Sequence, residues 1–321
     1  MQNTDSSIVV ILGTGGTIAG TAEDAGDDIG YTAAQLGVAQ LVMGVPALGE
    51  WALECEQVAQ IDSKDMDHTL WRTLARRCAA HLQRAEVAGV VIAHGTDTLE
   101  ETAWFLQRVL APNKPVVLTG AMRPATALHS DGPQNLLDSV IAARHPGAHG
   151  VVAVMAGVVH GARDVRKLHP YRLDAFGCGD AGAIGRIEQG QLRIFRSWPN
   201  DEAIGAAALA ADVARWPRVE IVTSHAGATG GFVRALCVDG VHGIVVAGTG
   251  NGSVHRELDE ALAQARSLGV TVLRSTRCVD GHVIATPADL WPAAGDLTPP
   301  KARVELMLRL MAENEQRACK T

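Results

Sequence analysis

Two stretches of the chain share one construction: a β-branched run, a glycine turn carrying threonines, then a segment with helical spacing. The first is Ile8-Val-Val-Ile-Leu-Gly-Thr-Gly-Gly-Thr17-Ile-Ala-Gly20, the second Gly89-Val-Val-Ile-Ala-His-Gly-Thr96-Asp97-Thr-Leu-Glu-Glu-Thr102. Apolar runs this short, joined through glycines to helix-length segments, belong to parallel strands buried on both faces. Further runs at Val87–Ala93, Val116–Leu118 and Val151–Met155 continue the pattern. Between them Met66, Leu70, Leu74, Cys78 and Leu82 recur every four residues, and Leu99, Ala103, Leu106 and Leu110 form a second stripe. The alternation predicts an α/β fold with largely parallel strands.

At 321 residues the chain is long enough for about two domains. Glu188-Gln-Gly-Gln191, between Ile187 and Leu192, predicts a hairpin closing the first domain. The Ala-rich stretch that follows reads as a connector, so the expected division is 1–200, a connector over 201–215, and 216–321. In the last part Glu220–Thr223, Gly243–Ala247 and Val270–Arg274 read as strands, with helices over His255–Leu268 and Pro300–Arg317.

Composition excludes several functions. With 28 basic and 35 acidic residues the net charge is −7, unlike a phosphate-backbone binder, so no nucleic-acid partner is expected. No apolar run reaches the ~20 residues of a membrane span. No basic region precedes the apolar Ile8–Leu12, so a secretory signal is not expected and the chain reads as cytoplasmic. Cys55, Cys78, Cys178, Cys237, Cys278 and Cys319 are scattered without a CxxC pair and read as free thiols. The twelve histidines form no HExxH or Cys/His cluster, so no metal is expected.

In an open α/β sheet, strand-to-helix turns lie at the carboxyl ends of strands, where ligands bind. Glycines there let backbone approach a ligand closely and bare amides hold an anion or oxyanion, so two threonine hydroxyls aimed at one crevice are unusual for a mere turn. A dinucleotide site fails on spacing: GxGxxG starting at Gly13 needs glycine at Ile18, and starting at Gly248 needs it at Ser253. There is no P-loop and no GxSxG elbow either. Each polar residue also has a structural reading. Thr17 can cap the following helix, Asp97 and Glu100 fit a capping box, Ser63 can cap the Met66 helix, and Lys167 alone reads as a solvated lysine.

A longer series of motifs bears on the choice. It comprises Thr14-Gly-Gly-Thr-Ile-Ala-Gly20, Tyr31-Thr32, Ser63-Lys-Asp-Met66, His94-Gly-Thr-Asp-Thr-Leu-Glu-Glu-Thr102, Gly120-Ala-Met-Arg-Pro124 and Asp131-Gly-Pro-Gln-Asn135. Arg163-Asp-Val-Arg-Lys167, Ala247-Gly-Thr-Gly-Asn-Gly252, Arg274-Ser-Thr-Arg277 and Lys301-Ala-Arg303 continue it in order. Together these resemble the bacterial-type L-asparaginases, including the related glutaminase-asparaginases, over nearly the whole chain.

The resemblance implies two α/β domains: a larger N-terminal mixed sheet with helices on both faces, and a smaller C-terminal flavodoxin-like parallel sheet. It implies an amidohydrolase that splits L-asparagine into L-aspartate and ammonia through a threonine acyl-enzyme, with L-glutamine as a second amide and no metal or organic cofactor. By motif position Thr17 is the nucleophile, Tyr31 the lid residue that activates it, and Thr96, Asp97 and Lys167 a second triad. The implied substrate-binding set is Gly16, Ser63, Lys64, Thr96, Asp97 and Ala121, joined by Asn251, Ser253 and Asp289. The acidic, Gly-bearing Thr21–Gly30 stretch reads as the lid that delivers Tyr31. A homotetramer built as a dimer of dimers is also implied.

Departures from the family pattern concern the pocket. Lys64 stands where the family has Gln or Glu, and a cation cannot accept a hydrogen bond from a substrate ammonium. No Glu occurs between Cys278 and Leu297, where the family takes a carboxylate from a neighbouring subunit, and Asp289 is the nearest stand-in. A broader glutaminase-asparaginase and a catalytically weak amino-acid-binding protein are the alternatives that these departures keep open.

Overall fold

The computed structural model describes residues 7–27 and 29–318. Cys319, expected as a free thiol, lies outside the described residues, as do Asp28 of the lid and the first six residues of the N-terminus. The chain divides into two compact units, residues 1–203 and 204–321.

The first unit is built on an eight-stranded sheet. In chain order its elements are β1 (Ile8–Gly15), α1 (Val38–Met43), β2 (Leu53–Ile61), α2 (His68–Leu82), β3 (Val87–Ala93) and α3 (Leu99–Leu110). They continue with β4 (Val116–Thr119), α4 (Gly132–Ala143), β5 (Val151–Met155) and β6 (Val158–Gly161). A separate two-stranded ladder joins β7 (Arg166–Lys167) to β8 (Phe176–Gly177), and β9 (Gly185–Glu188) and β10 (Gln191–Ile194) end the unit. The large sheet runs β10-β9-β6-β5-β4-β3-β1-β2. Strands β2, β1, β3, β4 and β5 are parallel, while β6, β9 and β10 add antiparallel pairing. The expected hairpin closes this sheet: Gln189 and Gly190 have φ of 50° and 74°, the left-handed pair that a two-residue turn with the strands' twist demands.

The parallel strands are apolar on both faces because helices cover both. Val9, Ile11, Val91, Val117 and Val152 share a cluster with Val38 of α1 and with Leu136 and Val140 of α4. The alternate residues Val10, Leu12, Val90, Ile92 and Leu118 are equally buried on the opposite face. There α2 and α3 are locked together by Trp71 stacked on Phe105, centroids 4.8 Å apart, and by a bond from Trp71 Nε1 to Thr102 Oγ1.

The buried face of α2 differs from the expected stripe. Met66 precedes the helix, and Trp71, Leu74, Ala75, Cys78 and His81 turn inward, leaving Leu70 and Leu82 half-buried. A strict four-residue repeat drifts around a helix of 3.6 residues per turn, so its two ends leave the core face. Strand β2 carries no continuous apolar run. It is an edge strand whose Glu54 and Glu56 pair with Arg84 and Arg77 of the α2 segment.

The second unit holds a parallel sheet of three strands in sequence order, β11 (Val219–Thr223), β12 (Gly243–Gly248) and β13 (Thr271–Thr276). Helices α5 (Gly231–Val238) and α6 (Arg256–Ser267) pack on one cluster with it, and α7 (Pro299–Ala318) contacts all three strands. The 2-1-3-4-5 order typical of flavodoxin-like sheets is therefore found in the first unit, along β2-β1-β3-β4-β5, and not in the small sheet. Three strands laid down consecutively contain no reversal of order.

Candidate active site

Strand order reverses between β1 and β3, the place in an open α/β sheet where the turns at the strand ends diverge and leave a crevice. The register pairs Gly13 with Ala93, so Thr17 and Thr96 follow from adjacent strand ends. The two turns touch through glycine: a Cβ on Gly16 would lie 2.2 Å from Gly95 Cα, and one on Gly95 would lie 2.5 Å from Ser63 Oγ. Gly16, Gly95 and Ser63, which follows β2, thus meet where neither glycine could carry a side chain.

None of the capping readings describes what these side chains do. The N-cap before Thr17 is Gly16, and the Thr17 hydroxyl lies 2.6 Å from the Tyr31 hydroxyl. Helix α2 is capped by Asp67, whose carboxylate accepts from the Leu70 amide, while Ser63 Oγ accepts from the Asp97 amide at 3.1 Å. Helix α3 starts after Thr98 without a side-chain cap. Glu100 instead accepts from the Lys167 amide at 2.8 Å.

Tyr31 reaches Thr17 because the lid lies closed on its base. Thr21 and Thr32 pair as an antiparallel bridge, and Asp27 accepts from the amides of Ile29 and Gly30. The loop after β4 holds the other side. The Leu128 amide donates to Ala25 O, the Ala22 amide to Thr126 Oγ1, and the Ala125 amide to Gly20 O. Gly20 has no Cβ, which would come 2.8 Å from the Tyr31 ring.

Lys167, unremarkable in sequence, is brought by β7 to the second threonine. Its ammonium donates to Thr96 Oγ1 at 2.9 Å and to Asp97 Oδ1 at 2.7 Å, with one-fifth of its side chain exposed. His94, fully buried behind this turn, donates from Nδ1 to Gly95 O. Burial pushes its pKa down to about 4, so the ring stays neutral. Ala121 is buried at the end of β4. The amides of Met122 and Arg123 donate to Asp131, and Asn135 joins Gly120 O to that carboxylate. Burial nonetheless raises the Asp131 pKa, outweighing those hydrogen bonds.

Lys64 pairs with Asp62 and Asp65 beside this cluster. Its ammonium is tied to Asp62, which raises its pKa, and its side chain is 63% exposed.

The three remaining predicted residues lie in the second unit. Asn251 bonds both ways to the backbone of Ile284, and Ser253 pairs by backbone with Thr249. The Asp289 carboxylate accepts from the Thr286 amide and from Arg274, and those bonds, the Thr286 amide first, lower its pKa. It is occupied in shaping its own loop. Two site-shaping residues that lie inside the motifs without a role by motif position are Glu100 and Asn135. Glu100 meets main chain 67 positions away, and Asn135 ties Gly120 O to the Asp131 carboxylate. Among the described residues no group of three or more His, Cys, Asp or Glu is arranged to hold a metal ion, and no helix is long and apolar enough to cross a membrane.

Comparison with known proteins agrees with this arrangement. Residues 8–200 match the family described as Asparaginase, N-terminal, and residues 218–321 the Glutaminase/Asparaginase C-terminal domain. The chain is 37% identical to the glutaminase-asparaginase of Pseudomonas fluorescens biotype A, over 94% of this chain and 86% of that one. It is 37% identical to L-asparaginase 2 of Escherichia coli strain K12, over 94% and 88%. The crystal structure of a probable cytoplasmic L-asparaginase from Campylobacter jejuni superposes with a TM-score of 0.87 at 36% identity, covering 97% of this chain and 98% of that one. With a threonine at each of two touching strand ends, and both domain models matched in order along its length, this chain belongs to the asparaginase family.

Proposed function

We propose that the chain is an L-asparaginase that hydrolyses the side-chain amide of L-asparagine, using Thr17 as nucleophile. The observation that carries this reading is the 2.6 Å contact between the hydroxyls of Thr17 and Tyr31. A threonine hydroxyl is a weak nucleophile at neutral pH and needs a neighbour to receive its proton.

Thr17 Oγ1 adds to the amide carbon as its proton passes to the Tyr31 oxygen and the phenolic proton of Tyr31 passes on to the amide nitrogen. The tetrahedral adduct collapses, the C–N bond breaks, and the protonated nitrogen leaves as ammonia. Water then adds to the Thr17 ester, and cleavage of that ester releases L-aspartate and restores the hydroxyl. Thr96, Lys167 and Asp97 form a hydrogen-bonded chain that can hold and pass protons beside the reacting carbon. Asp97 offers its carboxylate to the substrate ammonium, while Ser63 and Gly16 shape the α-carboxylate end and Ala121 the amide end. Lys64 is paired with Asp62, and its charge is still felt at Asp97.

A broader amide specificity is favoured by one finding: relatives at the same 37% identity carry both the asparaginase and the glutaminase-asparaginase names. The family reading also supports a homotetramer as a dimer of dimers. The name of the C. jejuni protein supports a cytoplasmic location. The test is ammonia release from L-asparagine and L-glutamine by wild type, Thr17→Ala and Thr96→Val. Activity on asparagine abolished by both substitutions establishes the reaction and the two-threonine site. Wild-type protein that binds L-aspartate but releases no ammonia from either amide refutes it in favour of an amino-acid-binding protein.

A further inference from the structure

We propose that Glu100 is a positioning residue for Lys167: its carboxylate fixes the main chain from which the lysine reaches Thr96. The inference rests on the two-threonine reading above and adds to it a residue that no motif role covers.

The argument starts from how weakly Lys167 is otherwise held. It sits on β7, a strand of two residues paired to the two residues of β8 and extended by one bond, from the Leu168 amide to Ala175 O. A ladder that short has little stability of its own. Lysine's four-carbon stem also loses rotamer freedom when fixed, so its ammonium is placed only if the stem's origin is placed.

That origin is anchored from across the site. Glu100 Oε2 accepts from the Lys167 amide at 2.8 Å, a bond spanning 67 positions of sequence. Glu100 lies three residues beyond Asp97, on the first turn of α3, and Asp97 and Thr96 take the lysine's other end at 2.7 and 2.9 Å. One strand-to-helix connection therefore grips Lys167 at both backbone and ammonium. An acid in a first helical turn would ordinarily cap its own helix, and α3 has no side-chain cap. The carboxylate is directed to the lysine strand instead, through a charge-assisted bond of the stronger kind.

The requirement is for an acceptor at this distance, not for a charge. Glu100→Gln keeps a carbonyl oxygen in place. Glu100→Ala removes the acceptor, and Glu100→Asp draws it back by one methylene. Each variant is assayed for kcat and KM on L-asparagine, for melting temperature, and for hydrogen exchange of the Lys167 amide. We expect Glu100→Ala and Glu100→Asp to lower kcat by about ten- to a hundred-fold, the scale of a displacement near 1 Å, with KM nearly unchanged. The Lys167 amide should exchange faster in both, and Glu100→Gln should restore rate and protection. A purely structural role would lower the melting temperature without separating kcat from KM.

Wild-type kcat in Glu100→Ala overturns the proposal, as does a Glu100→Gln variant as impaired as Ala. If Ala does not fold, the Asp and Gln pair decides the same question. Hydrogen exchange reads the clamp independently of turnover. A wild type without amidase activity therefore refutes the proposed function, while unchanged Lys167 protection in Glu100→Ala refutes this inference.

Discussion

Gly16→Ala should be among the most damaging single-methyl additions in the chain. Gly16 has φ 80° and ψ −171°, a region essentially closed to residues with a Cβ and costing about 1–3 kcal/mol to occupy. The new methyl would stand 2.2 Å from Gly95 Cα and 2.5 Å from Gly95 N, both backbone atoms that cannot rotate aside. Relief requires the two turns to separate by about 1.2 Å to reach ordinary contact. Overpacking of this kind costs about 1–3 kcal/mol. The first unit has some two hundred residues, for which about 1 kcal/mol moves the melting temperature by about 2–4 °C. A fall of at least about 4 °C follows. The same separation moves Thr17 away from Thr96 and Ser63, and a misplacement of about 1 Å costs roughly a hundred-fold in rate. Thermal melting and ammonia release from L-asparagine measure the two effects on one preparation. The control is Gly49→Ala, where a Cβ meets nothing within 4 Å, which should melt at or slightly above wild type. Gly16→Ala protein with wild-type melting and turnover would show that the turns are not in contact as described.

Three further outcomes are expected. Tyr31→Phe removes the hydroxyl beside Thr17 and should lower kcat about a hundred-fold with unchanged melting; unaltered kcat would deny Tyr31 its role as proton acceptor. Lys64→Gln removes a cation whose charge is felt at Asp97 and should lower KM for L-asparagine about two- to three-fold without altering kcat; steady-state kinetics showing a raised KM would mean that the lysine contributes to binding. Asp138→Asn should stabilise the fold near pH 7. Burial raises the pKa of this carboxylate, and Gln134 donates to it at 2.8 Å without supplying a charge. An acid with a raised folded pKa carries its charge penalty in full above that pKa and sheds it as pH falls toward the unfolded value. The melting advantage of Asp138→Asn should therefore be largest at neutral pH and vanish below about pH 4. An advantage that grows on acidification would refute the assignment.

The buried strands were legible because burial on both faces forces continuous apolar, β-branched residues: Val87–Ala93 and Val151–Met155 match their observed limits. Strand β2 was not, although it leads to Ser63. An edge strand half-open to solvent interleaves Glu54 and Glu56 with its apolar residues, and its arginine partners come from α2 and the turn just after it. The site divides along the same line. Gly16, Thr17 and Thr96 sit in strand-to-helix turns, recognisable from composition as the place where ligands bind in open α/β sheets. Lys167 and Glu100 acquire meaning only when β7 folds back across α3. Local sequence cannot contain that, because the informative contacts span about seventy positions.

The positions of these residues follow from topology more than from any one motif. Four neighbouring strands, β2, β1, β3 and β4, deliver Ser63, Thr17, Thr96 and Ala121 respectively from their carboxyl ends. Adjacent parallel strands lie about 4.8 Å apart, so side chains from loops on neighbouring strands begin within reach of one small substrate. Reaching hydrogen-bond distance then requires the loops to approach more closely than side chains permit. Glycine at 16 and 95 allows it, bringing backbone against backbone where any Cβ would hold the turns apart. The lid and the lysine strand are added to this frame through main-chain hydrogen bonds, at Thr21–Thr32, at Leu128 and at Lys167. Rigid strands thus carry the two threonines, while Tyr31 and Lys167, proposed to activate them, arrive on short segments held by a few bonds each. Substitutions at those bonds should therefore alter turnover before they alter stability, whereas substitutions at the glycines should alter both together.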